Sequence, residues 1–141
     1  MSEEITTIQA NEVPADVLVR YSSLDLVEVR KNPRKFPRVV DTPATTAVKQ
    51  MTKYVYAALL YKGQSMAAEA VAFTAKALVE EIANDNYYGL RSISWAEVGR
   101  AIRLAVLGGD GGMYGVSVSS LYQSLINYAK GEGHDAARKA F

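Results

Sequence analysis

The sequence predicts an all-α fold: a compact bundle of about four main helices, with a glycine-rich turn between the last two and an extended N-terminal arm. Three observations predict it. Apolar residues recur three and four apart through most of residues 43–130, the period of a helix face rather than of a strand. Serine, threonine and glycine punctuate those stretches where helix ends are expected. Five of the ten glycines fall between Gly108 and Gly115, a density that marks a special backbone path between two helices.

The expected organisation is an arm over residues 1–41, a helical domain over 42–131 and a tail over 132–141. Residues 1–13 are polar and without periodicity. Pro14 suits the first turn of a short helix over residues 15–21. Leu26, Val27 and Val29 flank Glu28 in a pattern open to a short helix or a strand. Residues 30–38, RKNPRKFPR, hold five basic residues and no acid. Pro33 and Pro37 forbid a regular helix there, so the run reads as the joint between arm and body.

Thr42 before Pro43 is the expected cap of the first long helix, with Val48, Met51, Val55 and Leu59 inward and Gly63 as its stop. Ser65 is the expected cap of an alanine-rich helix over residues 66–83. Met66, Ala70, Phe73 and Ala77 line one stripe of it, with Val71, Leu78 and Ile82 beside that stripe. Asn84, Asp85 and Asn86 end this helix by competing for backbone groups. Tyr87 and Tyr88 are expected to pack on the core. Ser94 and Glu97 form a capping box, and Ile93 with Val98 a hydrophobic staple; Trp95, Val98, Ile102 and Val106 share the inner face. The last main helix, residues 118–130, has Ser117 or Ser120 as cap and Leu121, Leu125 and Tyr128 inward. The tail is open to a frayed turn or a short extra helix.

Composition bounds the chemistry. A net charge of +1 gives no global pull toward nucleic acid or membrane, so any electrostatic function must come from local clustering. The absence of cysteine removes disulfides, thiol catalysis and cysteine metal sites. No apolar run is long enough to span a bilayer. The acidic N-terminus lacks a basic segment before an apolar one, so no secretory signal is expected and the cytoplasm is the expected compartment.

No motif for catalysis, a metal or a cofactor emerges. His134 is the only histidine, and it reads as a solvated tail residue despite its neighbour Asp135. GGDGGMYG lacks the order of a P-loop and the alternating acids of a calcium loop, and reads as a tight turn. Glu80 and Glu81 read as a solvated face. Among nine tyrosines, Tyr56 lies off the stripe of Tyr54 and Tyr61 and is the candidate for an exposed contact.

The basic run is the best functional candidate. Arg30, Lys31, Arg34, Lys35 and Arg38 could track phosphates, Phe36 could stack a base, and Arg100 and Arg103 (with Arg91) could extend the surface. The opposing reading is a solvated linker that pairs with Glu3, Glu4 and Glu12. A DNA-reading helix-turn-helix fits poorly, because ten residues separate Leu107 from Val118 where three or four are usual.

The order of features resembles a loose group of small all-α proteins encoded by bacterial phages and mobile elements. The residues that carry it are the alanine-rich helix, Tyr87–Tyr88, the capped helix after Ile93, Gly112–Met113–Tyr114–Gly115 and the helix ending at Tyr128. The tryptophan such proteins often carry in the last helix is not matched near Ser124 and Leu125. The resemblance implies a non-enzymatic adaptor of the replication-accessory or helicase-loader kind, DNA-binding or engaged in protein–protein interaction within the host cytoplasm. The alternative is a virion or homo-oligomer subunit that uses its arm for assembly.

Overall fold

Six α-helices and two 3-10 turns account for the regular structure of the described residues, with no strand. The computed structural model describes Leu18, residues 25–108 and residues 113–141. The expected polar arm and most of the short helix after Pro14 therefore lie outside the described residues; Leu18 is buried in the core. In chain order the helices are α1 (Leu26–Lys31), α2 (Ala44–Lys62), α3 (Ala68–Asn84), α4 (Trp95–Val106), α5 (Val118–Lys130) and α6 (Glu132–Ala140). The 3-10 turns are Val39–Asp41, before α2, and Leu90–Ser92, before α4.

The helix pair α2 and α3 packs together along the bundle, α4 packs on α2 and α5, and α5 packs on α3 and α6. Helix α1 lies on α6, so the segment before residue 42 and the tail meet each other and the body. The expected core is buried at Met51, Val55, Leu59, Leu78, Ile82, Trp95, Val98, Ile102, Val106, Leu121 and Leu125, while Val48 is only partly buried.

Phe73 is the clear exception, 68% exposed. The buried stripe of α3 runs through Val71, Thr74, Ala75, Leu78 and Ile82. At about 100° per residue, Phe73 points roughly opposite to both Val71 and Ala75. The neighbouring stripe, not the one through Phe73, faces the core.

Two expected caps are also replaced. Pro43 is the N-cap of α2 and Ala67 that of α3, and neither gives a side-chain cap. The Thr42 hydroxyl is engaged elsewhere: it donates to the Arg38 carbonyl and accepts from the Trp95 indole. The other ends form as expected. Gly63 closes α2 at φ 62°, where a side chain would be strained. The full capping box of Ser94 and Glu97 starts α4. Ser117 starts α5 with its hydroxyl accepting from Ser120 N–H, which settles the choice left open between the two serines.

The loop after α3 is organised by Asp85. Its carboxylate accepts from the N–H groups of Tyr87, Tyr88 and Leu90. Leu90 thereby enters the core, and the two tyrosine rings turn outward, Tyr87 being 91% exposed. This corrects the expectation that both rings pack inward. Tyr56, the expected exposed contact, is instead buried. In the glycine-rich turn, Gly108 has φ 82°, and Gly109, Gly111 and Gly112 lie outside the described residues.

The tail is helical. Gly133 permits this: a Cβ there would come within 2.8 Å of the Tyr128 ring and 3.1 Å of the Tyr128 carbonyl. Only a glycine lets α6 lie this close to the end of α5.

Candidate nucleic-acid interface

The basic run begins at the end of α1. Asp25 caps that helix, its carboxylate accepting from Val27 N–H. Val29 is buried, which turns the adjacent Arg30 toward the body. Asn32 ends the helix: its side-chain amide donates to the Glu28 carbonyl, and its own carbonyl accepts from Lys35 and Phe36 N–H. Pro33 and Arg34 form the crest of the resulting turn. The chain then runs extended past the start of α4, where Trp95 N–H donates to the Pro37 carbonyl and Val39 N–H to the Ile93 carbonyl. Arg38 and Ser94 form an isolated antiparallel bridge.

The other fixed point is Glu97, which is fully buried. Its Oε1 accepts from Arg30 Nε at 2.6 Å and from the Tyr128 hydroxyl at 2.6 Å. Its Oε2 accepts from the Ser94 N–H and hydroxyl, both at 2.9 Å. Four donors saturate this carboxylate. Glu97 therefore has no spare lone pair for a general base, and its role is to join α1, α4 and α5. Burial, and then the adjacent Glu97 carboxylate, push the Tyr128 hydroxyl well above the ordinary tyrosine value.

The expected site residues thus divide. Arg30 is committed to Glu97, its side chain only 9% exposed, and is a fastener rather than an exposed contact. Lys31, Arg34 and Lys35 are exposed, and none of them has an ion-pair partner among the described residues. The Lys35 ammonium lies 5.5 Å from the centre of the half-buried Phe36 ring. Arg38 pairs with Asp41 at 2.7 Å on the surface, a contact that solvent weakens. The expected pairing with Glu3, Glu4 and Glu12 lies outside the described residues. Arg100 does not extend the run as an open contact: it is held to Glu132 of α6 at 2.9 Å. Arg103 has its Nε buried, with no hydrogen-bond partner among the described residues. Arg91 is exposed on the 3-10 turn that packs against Val39–Asp41.

Two clefts flank Phe36. One, of about 310 Å³, is lined by Arg30, Arg38, Ser94, Glu97 and Phe141. The other, of about 290 Å³, is lined by Lys35, Pro37, Thr46, Gln50 and Trp95. Thr46, Gln50 and Trp95 escaped the sequence reading as site residues. The helical step from Thr46 to Gln50 to Lys53 was the available signal, since it places the three on one face of α2. A third cavity, of about 510 Å³, lies between Met113–Val116 and the start of α5. It is walled by serines and amides, several already bonded to one another, and none of the described residues lining it is charged.

Among the described residues, no three histidine, aspartate or glutamate side chains converge on a point that could hold a metal ion. His134 is exposed on α6. No described helix is long and apolar enough to cross a membrane. Comparison with known protein families, characterised proteins and solved structures finds no match.

Proposed function

We propose that this protein is a non-enzymatic adaptor that binds nucleic acid, and through it or beside it a protein partner, by the cationic loop of residues 31–38. The supporting observation is the contrast within the loop. Its ends are fixed to α4 by backbone hydrogen bonds and by the Arg30–Glu97 pair, while Lys31 at the end of α1, Arg34 at the crest and Lys35 after it stand exposed. A linker would not need such fixing. A surface that must present several cations to successive phosphates gains from it, because less motion is lost on binding. The origin suggested by the sequence resemblance, a phage or mobile element, is part of the same reading. So is action in the host cytoplasm.

The test is binding to labelled single- and double-stranded DNA across a salt series, beside a variant with Arg34, Lys35 and Arg38 all changed to glutamine. The expected result is binding that weakens steeply with salt and is lost in the variant, with the thermal unfolding of the variant unchanged. Equal binding by the variant contradicts the assignment.

A further inference from the structure

We propose that the outward face of α3, centred on Phe73, joins two copies of this chain, with α3 of one copy lying antiparallel across α3 of the other. Helix α3 buries the stripe through Val71, Ala75, Leu78 and Ile82 and packs on α2 and α5. Phe73 points away from that stripe, 68% exposed, so a large apolar ring stands in water at the middle of the helix.

The residues around the ring sort into two edges. At about 100° per residue, Glu69, Lys76 and Glu80 fall on one side of Phe73, and Ala70 and Ala77 on the other. Ala70 is exposed and Ala77 half-buried. Their short side chains let a second helix approach closely along that edge. Glu69 and Lys76 are both exposed, and neither has an ion-pair partner among the described residues. They lie two helical turns apart, too far to pair with each other within one copy.

This arrangement complements itself. A two-fold axis across α3, midway between Glu69 and Lys76 and so beside Phe73, reverses the helix and keeps each edge on its own side. Glu69 of one copy then lies level with Lys76 of the other, and the symmetry makes that ion pair twice. The alanine edges meet each other, and the two Phe73 rings meet near the axis. Glu80 lies one turn beyond Lys76, past the start of the facing α3, so like charges are not set opposite. A parallel pair would instead set each charged edge against an alanine edge and leave the charges unmatched. The charge pattern therefore selects a second copy of this chain, and selects its direction. One helix face against another is a small contact among specific interfaces, so the dimer should form between micromolar and millimolar concentration.

The experiment is sedimentation equilibrium of the full chain across that range at low salt. The wild type should pass from monomer to dimer. Phe73→Ser should stay monomeric with unchanged helix content. Glu69→Lys and Lys76→Glu each oppose like charges at two places, and each should weaken the dimer by roughly tenfold or more. The variant that carries both exchanges restores both pairs, and its affinity should return to within roughly threefold of the wild type. A wild type that stays monomeric throughout overturns the proposal and leaves the face to a different protein. A dimer untouched by Phe73→Ser overturns the assignment to this face. A combined variant as weak as the single ones overturns the antiparallel pairing.

Discussion

Arg30 and Arg34 stand four residues apart in one basic run and meet opposite environments. Arg30 is folded against a fully buried carboxylate and fastens α1 to α4 and, through Tyr128, to α5. Arg34 sits on the crest of a turn, exposed and without an ion-pair partner among the described residues. The first serves the fold and the second is open to a ligand. A charge run in a sequence is therefore not yet a surface: the fold decides which of its cations remain outside.

The anchor side of this comparison should break most severely. Glu97→Ala leaves Arg30 buried without its counter-charge and removes half of the α4 capping box. It should destabilise by about 3–5 kcal/mol, read as a fall in the urea midpoint. Gly133→Ala forces a methyl group into the Tyr128 ring and carbonyl, at a cost of about 1–3 kcal/mol. The same urea titration checks it, and no change in midpoint would mean α6 is not held against Tyr128.

Tyr128→Phe removes one donor to the buried Glu97 carboxylate and should cost about 1.5–3 kcal/mol at neutral pH. It also sharpens the account through its pH dependence. The folded protein holds the Tyr128 hydroxyl protonated beyond the ordinary tyrosine value near 10. Its stabilisation is thus complete below about pH 10 and declines as pH rises, because the unfolded chain ionises first. Tyr56 and Tyr122 are shifted the same way by burial. Stability of the wild type should therefore fall steeply above pH 10, and less steeply in Tyr128→Phe. On the exposed side, Arg34→Gln or Phe73→Ser should change stability by less than about 0.5 kcal/mol.

What could be read from the sequence was what is local in it. The Ser94–Glu97 box needs only residues three apart, and it formed as expected. The other two partners of the same carboxylate, Arg30 and Tyr128, are 67 and 31 residues away, and no local pattern announces them. Thr42 looked like a cap for the same reason that Ser94 did. Its hydroxyl was claimed by a tryptophan 53 residues further on. Phe73 was misplaced because α3 is rich in alanine, and two adjacent stripes of similar apolarity compete for the inner face. The tail was open to a frayed turn or a helix, and the close approach of Gly133 to Tyr128 that accompanies the helix is invisible in the local sequence. In the candidate site, Phe36 and the exposed cations were legible from their sequence neighbours. The groove's Trp95, Thr46 and Gln50 come together only when α2 and α4 start side by side.

The most direct test of the division between anchor and surface is the salt dependence of single-stranded DNA binding in two variants. Arg30→Met combined with Glu97→Gln removes both buried charges together, which spares the orphaned-charge penalty, and glutamine can keep the capping box. The account predicts that this pair leaves the slope of log affinity against log salt at its wild-type value, while Arg34→Gln lowers it by about 0.7. A loss of slope in the Arg30 variant equal to that in Arg34→Gln would make Arg30 a phosphate contact and contradict the division.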